Sequence, residues 1–497
     1  MFESIKQKPG AAKLEHPLII TGIIILSVVL SYIIAVGGLV VAFAFTGLLL
    51  GLIFLNRLFN YPELGISTLL VFSFIAIGLT RYIRNVPLGL GIDGLLVISF
   101  VAFFFKNFNT KINLGQANRD ITYLLIAWMT FALLELFNPQ ALSRTAWFYA
   151  MRGISLYPIL TLPLVLLLFK RLRYLYMFLY IWGTFTILAS LKGLQQLYIG
   201  LDGGEQFWLD TVGGITHMLN GKLRVFSFFS DAGQFGAAQG DAGIVGLLIA
   251  ASIKGRRNKI FFLVVSIMGF WGMLVSGTRG SIVVPLIGGA VYVILKKNVK
   301  AVIIGAIFLA FTYVFFAHTF IGDNIYSIAR MRTAFRPELD ASYQVRLANR
   351  AILKTYLADK PIGGGIGSAG LWGQRFSPQG FLANVATDSW YVQIWAEQGI
   401  IGLILHLFIL SYIFLKGSYI IMFRVKNTEL EGILGALIGG FAGIMGASYT
   451  NGVLGQMPTG AIVYLSWGFI FMAQQLDREY TYLVSIGKSP QSIIVKD

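Results

Sequence analysis

The chain has 497 residues, of which 56% are hydrophobic, 14% aromatic and only 12% charged. A soluble domain carries about twice that charged fraction, so the composition excludes an ordinary water-soluble enzyme. There is no cysteine and the formal net charge is +17, which excludes disulfides, a thiolate metal site and a cysteine nucleophile.

Apolar residues come in runs of roughly 17–25, the length that carries a helix across a hydrocarbon core. Fourteen spans are expected, at about 18–34, 37–56, 64–80, 88–105, 120–137, 146–169, 174–190, 232–253, 260–277, 280–295, 301–317, 391–415, 432–450 and 459–475. The first two are divided only at Gly37-Gly38. The first apolar run is too long for a signal peptide and no small-residue cleavage site follows it, so no cleaved leader is expected. The fold class is therefore an all-α polytopic membrane protein of about fourteen helices with a large extracytoplasmic loop that contains short helices.

Orientation follows from charge. With the N-terminus inside, the short inner loops hold Lys170, Arg171 and Arg173; Lys254, Arg256, Arg257 and Lys259; Lys296, Lys297 and Lys300; and Lys416, Arg424 and Lys426. Cationic loops stay cytoplasmic, so both termini are expected in the cytoplasm. Two long segments then lie outside, about Lys192–Asp231 and His318–Trp390. The second breaks the charge rule: it carries Arg330, Arg332, Arg336, Arg346, Arg350, Lys354, Lys360 and Arg375 against five acids. Long loops cross whatever their charge, but the excess calls for an anionic partner or a solvated face. Nucleic acid is not expected, because no basic–aromatic readout motif is present. The expected division is 1–223, about seven spans and the first outer loop; 224–417, a core that includes outer loop 318–390; and 418–497, a helix pair and cytoplasmic tail.

Within "LVSGTRGSIVVPL", Arg279 is the only charge between two apolar stretches, at the outer end of its helix pair. Glycines permit a sharp turn there. The arginine either snorkels to lipid phosphate or presents a cation to a ligand. In "GKLRVFSFFSDAGQFGAAQGDAG", Arg224 precedes an aromatic run, Asp231 suits a helix cap, and Asp241 is a carboxylate inside a span that should face the bundle interior and pair with an arginine. Arg152, also inside a span, should pair with a carboxylate or a ligand.

"SYQVRLANRAILKTYLADKP" reads as an amphipathic helix with Val345, Ala348, Ile352 and Tyr356 on one face. Arg346, Arg350 and Lys354 stand on another, either solvated or binding an anion such as phosphate. Pro361 ends the helix, and the glycine run Gly363–Gly370 offers backbone N–H groups that could cradle a phosphate, although no strand precedes it. The loop closes with "ATDSWYVQIWAEQGIIGL". Asp388 at the mouth of the next span is either a general base or that helix's cap, and Glu397 lies about one and a half turns below the start of that helix. His16, His217, His318 and His406 are too dispersed for metal-ligand spacing, and Gly435, Gly439 and Gly443 should let helices pack closely.

Four features stand in one order: "RVFSFFSDAGQFGAA", the "SGTRGS" hairpin, the loop with "VRLANRAILKTYLADKPIGGGIG", and "DSWYVQIWAEQGIIGL". Together, over about Arg224–Leu405, they resemble the O-antigen ligase/polymerase superfamily of envelope glycosyltransferases, whose marks are an SGSRG-like turn, a basic loop helix followed by P-x-G-x-G, and H-N-x-Y-L-Q-x-x-x-E-x-G-x-x-G. The resemblance implies a type-C glycosyltransferase fold and a hexosyltransferase-type enzyme in the bacterial inner membrane. It implies an active site facing the periplasm and glycan donors on undecaprenyl diphosphate, used without metal or cofactor. By motif position it assigns diphosphate binding to Arg224, Arg279, Arg346 and Arg350, and catalysis to Asp388 with Arg279. It implies as partners the lipid-linked oligosaccharide, an acceptor glycan or lipid, the bilayer, and room for a chain-length regulator. Asp388 stands where ligases carry histidine, which favours polymerisation of O-antigen or exopolysaccharide repeats over ligation to lipid A-core. A flippase or exporter is the reading from another class. Fourteen spans with Arg152 and Asp241 suit transport, but the charges concentrate at the outer mouth and no transporter-type repeat is visible.

Overall fold

The computed structural model describes residues 17–83, 86–108, 114–219, 221–297, 299–324, 326–335 and 341–488. His16, Arg336 and the expected cytoplasmic positions of the two chain ends lie outside them. The described residues form helices almost throughout: α1 (Pro17–Asn60), α2 (Glu63–Leu79), α3 (Gly89–Lys106), α4 (Asp120–Leu134), α5 (Arg144–Met151), α6 (Tyr157–Leu168), α7 (Leu172–Leu194), α8 (Gly203–Trp208), α9 (Gly214–His217), α10 (Ala232–Ser252), α11 (Arg256–Val275), α12 (Val283–Leu295), α13 (Val299–His318), α14 (Tyr326–Arg332), α15 (Ala341–Tyr356), α16 (Gly370–Phe376), α17 (Trp390–Arg424), α18 (Thr428–Ala447), α19 (Thr459–Phe471) and α20 (Ala473–Ser485). One two-stranded ribbon, β1 (Met218–Leu219) with β2 (Lys222–Leu223), pairs antiparallel with Met218 opposite Leu223. Helix dominates because lipid offers no hydrogen-bond partner to an open backbone.

Ten of the described helical stretches are long and apolar enough to cross a membrane, and four shorter apolar ones fall at Glu63–Leu79, Arg279–Leu295, Val302–His318 and Thr459–Phe471. Each of the fourteen expected spans has a counterpart. The first two run as one element, α1, broken at Gly38, whose φ of 65° is open to glycine. Residues up to Pro62 form one compact unit and Glu63 onward a second.

In the second unit α18 and α19 lie at the centre, and every residue of α19 is buried. The Gly435–Gly439–Gly443 stripe explains how α18 fits. A Cβ on Gly439 would stand 2.7 Å from the Gly288 carbonyl, and one on Gly443 2.6 Å from that of Val284. Backbone therefore meets backbone between α18 and α12, which maximises dispersion contact where lipid removes the hydrophobic drive. Arg152 sits in a π-turn (Arg152–Leu156) and pairs with Asp93 at 2.8 Å. Asp241 is buried as expected but pairs with no arginine among the described residues. Its Oδ1 has no hydrogen-bond partner and packs where a Cβ on Gly440 would sit.

Two expectations need correction. In α15 the buried positions are Leu353 and, just past the helix, Leu357, with Tyr356 beside them, whereas Val345 and Ile352 are 56% and 48% exposed. The helix has apolar residues on two sides, and periodicity alone does not say which side meets the core. The glycine run is also not a phosphate cradle. Gly363, Gly365 and Gly367 all have positive φ, and the Gly364 and Gly365 N–H groups donate to the carbonyls of Ala396 and Glu397. Gly399 breaks α17 with φ 63°, and a Cβ there would collide with the Pro361 carbonyl. Glu397, fully buried, accepts from the Ala369 N–H at 3.2 Å. The two motifs thus form one lock that fastens the loop to the start of α17.

Candidate active site

The segment between α7 and α10, with the start of α10, builds the first wall. Arg81 lies over the rings of Trp208 and Phe226, 4.7 and 4.5 Å from their centroids, and donates to the carbonyls of Ser227 and Phe229. Burial lowers its pKa to about 10, which leaves it charged. This fixes the aromatic run that the sequence places after Arg224. His217 accepts from the Ala232 N–H through Nε2 (3.0 Å) and donates from Nδ1 to the Gly213 carbonyl (3.0 Å), so it is neutral with the proton on Nδ1. Burial, ahead of all other causes, holds its pKa below the ordinary imidazole range. Asp231 caps α10, its carboxylate accepting from the Gln234 N–H at 2.9 Å.

Arg224 ties this wall to the hairpin between α11 and α12. Its guanidinium donates to the Thr216 carbonyl and to Thr278 Oγ1, each at 2.8 Å, and Thr278 Oγ1 donates on to the Ala232 carbonyl. The hairpin turns at Gly277, φ 58°, and continues as a 3-10 turn Arg279–Ile282. Arg279 donates to Thr333 Oγ1 at 3.1 Å, and Arg330 donates from Nε to the Gly277 carbonyl.

Asp388 stands just before α17. It does not cap that helix: Ser389 does, its hydroxyl accepting from the Val392 N–H. The Asp388 carboxylate is half exposed and accepts from Arg346 Nε at 3.2 Å. Arg350, one turn further along α15, donates to the Tyr449 hydroxyl at 2.7 Å, with its guanidinium over that ring.

These elements enclose a cavity of about 640 Å³. Arg224, Arg279, Arg346 and Asp388, singled out in the sequence, all line it, together with Arg330, His217, Tyr343 and the connection that holds Thr450, Asn451 and Gln456. Arg350 is not among the lining residues; it anchors α15 to the α18–α19 connection. Glu397 and the glycine run are not there either. The described lining has four arginines against two carboxylates, one of them committed as the Asp231 cap. Such a cavity favours a ligand with more than one negative charge, and the planar guanidinium fork suits phosphate. No group of three or more potential metal ligands occurs among the described residues.

Sequence reasoning missed Arg330, counted only as part of a charge excess, and the segment "SYTNGVLGQMP" at 448–458. The signal for the latter was present: a polar stretch between two apolar spans, on the side expected to face outward with Asp231, Arg279 and Asp388.

The sequence profile described as O-Antigen ligase matches residues 262–407, a stretch that includes Arg279, Arg330, Arg346, Asp388 and the whole glycine lock. Over that stretch the chain is similar to the O-antigen ligase family. A relative, an "O-antigen polymerase" of Salmonella muenchen, is 25% identical over 307 residues, covering 59% of this chain and 73% of the relative. Arg224 and the 448–458 segment lie outside the profile match, yet both reach the cavity that the matched O-antigen ligase-type residues line.

Proposed function

We propose that this protein is an inverting glycosyltransferase that polymerises glycan repeat units carried on undecaprenyl diphosphate, with its cavity facing outward from the bacterial cytoplasmic membrane. The observation that carries this reading is the convergence of Arg224, Arg279 and Arg346 from three separate segments on one cavity that also holds Asp388. The diphosphate gains negative charge as its bond to the sugar C1 breaks and the electron pair passes to the phosphate oxygen. Fixed guanidinium groups aimed at that charge lower the barrier by about 3 kcal/mol each. Asp388 accepts the proton of the acceptor hydroxyl as that oxygen bonds C1 from the opposite side. Arg346 holds the carboxylate in place. The loop charges support the orientation, with cationic inner loops and both chain ends in the cytoplasm.

The description of the matched profile favours a ligase as the second reading, differing only in acceptor. Deletion followed by glycan analysis separates the two. Lipid A bearing single repeats is the expected result and identifies a polymerase. Long chains stranded on the lipid carrier identify a ligase, and unchanged glycans overturn both. Topology is tested with single cysteines, since the native chain has none. An impermeant maleimide should label intact spheroplasts at position 375 and not at 256; the reverse pattern refutes the orientation.

A further inference from the structure

The cavity has two chemically different sides. Arginines from several elements supply one. The other comes from a single uncharged connection between α18 and α19, which contributes Thr450, Asn451 and Gln456. We infer that Asn451 and Gln456 read the sugar joined to the diphosphate, and so determine which lipid-linked glycan the enzyme accepts. This rests on the donor reading proposed above.

Position is the first argument. Asn451 packs on two glycines. A Cβ on Gly280 would stand 2.8 Å from its Nδ2, and one on Gly233 3.1 Å from its Oδ1. Gly280 follows Arg279 directly, so Asn451 sits against the same turn that presents the Arg279 guanidinium to the cavity. The connection is also tied to the start of α17: the Trp390 N–H and the Ser389 hydroxyl both donate to the Ser448 carbonyl, at 3.0 and 3.3 Å. Asn451 and Asp388 therefore belong to one braced frame, the sugar-side amide and the acceptor-side carboxylate.

Hydrogen-bonding capacity is the second argument. Asn451 Nδ2 donates to Thr450 Oγ1 at 3.0 Å, and Gln456 Oε1 accepts from the Ser230 hydroxyl at 3.2 Å. Among the described residues Asn451 Oδ1 has no donor and Gln456 Nε2 no acceptor. A phosphate only accepts, so a carbonyl oxygen facing it gains nothing. A sugar ring offers hydroxyls that donate and accept, and an acetamido group offers both as well. The unused acceptor on Asn451 matches a hydroxyl or acetamido N–H and not a diphosphate, and the unused donor on Gln456 gives the same uncharged wall a group for a sugar oxygen.

The test uses the full-length protein in nanodiscs with two probes: undecaprenyl diphosphate without sugar, and the lipid-linked repeat isolated from a strain lacking this protein. The native protein should bind the glycan-bearing lipid more tightly. Asn451→Leu keeps the side-chain size that packs on Gly233 and Gly280 but removes both hydrogen-bonding groups. It should weaken binding of the glycan lipid by about tenfold, the scale of a lost hydrogen bond or two, and leave the bare lipid within about twofold. Gln456→Leu repeats the test at a position with no glycine against it. Arg279→Ala should weaken both probes. If Asn451→Leu and Gln456→Leu weaken both probes equally, or neither, the inference is wrong. If the native protein binds both probes equally well, the inference falls and the donor reading stands. If it binds neither, the donor reading falls and takes this inference with it.

Discussion

Asp388→Asn separates a proton acceptor from a structural carboxylate, and the geometry sets the size of each effect. The carboxylate is half exposed, and among the described residues its one polar contact is 3.2 Å to Arg346 Nε. An exposed pair of this kind contributes about 0.2–1 kcal/mol, and the asparagine carbonyl still accepts from Arg346. The helix start is unaffected, because Ser389 supplies the cap. Thermal stability should therefore be nearly unchanged. An amide cannot take the acceptor proton, so turnover should fall by about 10²–10⁴-fold, equivalent to about 3–5 kcal/mol of barrier. The neighbouring change gives the opposite profile: Ser389→Ala should lower stability by about 1 kcal/mol and keep most of the turnover. The assay is polymer formation from purified lipid-linked repeat in detergent, run beside a melting curve. Turnover of Asp388→Asn within about twofold of the parent refutes the proton-acceptor role and leaves the arginines as the main catalytic device.

Arg224→Ala, Arg279→Ala and Arg346→Ala should each reduce polymer formation strongly at normal expression, and Arg279→Lys should restore only part of it, since an ammonium lacks the planar fork; full activity in all three alanine variants means these groups only solvate the mouth. Gly399→Ala puts a side chain at φ 63° and against the Pro361 carbonyl, so it should lose more than the roughly 1–2 kcal/mol of left-handed strain alone, seen as a lower melting temperature and poor expression. The pH response turns on His217, which faces Arg224, Arg81 and Asp231 as well as its hydrogen-bond partners Gly213, Thr216 and Ala232. Its folded pKa lies below its unfolded value of about 6.5, so the unfolded chain takes up a proton first on acidification. The stabilisation is complete above that value and is lost as pH falls below it. Activity should accordingly drop more steeply below about pH 6 in the native protein than in His217→Gln, and superimposable profiles would count against it.

Much of the fold was legible because the bilayer leaves few choices. A run of apolar residues long enough to cross must be a helix, and a glycine pair within such a run marks where it bends, as at Gly38. Asp231 could be read as a cap from its place before an apolar run, and Arg152 as paired because a lone intramembrane cation is costly. The loop resisted reading for a definite reason. Arg346 and Arg350 are one turn apart on one helix, chemically identical, yet one meets Asp388 at the cavity and the other grips Tyr449. Only tertiary placement distinguishes them. Similarly, glycines that could approach a phosphate could equally approach a backbone, and nothing within Gly363–Gly370 names the partner. The 448–458 segment was passed over because its few polar residues have no spacing of their own. They acquire meaning only when the chain returns them to Gly233 and Gly280.

The sequence marks of the superfamily thus divide into two physical jobs. Arg279 and Asp388 reach the cavity and can touch a substrate. Pro361, Gly363, Gly365, Gly367, Glu397 and Gly399 are not among its lining residues; they join the end of the loop to the break in α17 through contacts too close for any side chain. The division has a consequence for catalysis. Arg346 and Asp388 lie on opposite arms of the loop, one on α15 before the lock and the other just before α17, and the lock joins the segment leaving α15 to α17 itself. Without it, each side chain would depend on the other's single half-exposed contact for its position. A carboxylate that must meet a hydroxyl at about 3 Å tolerates little drift. On the proposed mechanism, the buried, chemically silent half of the motif is what holds an exposed aspartate where a base is required.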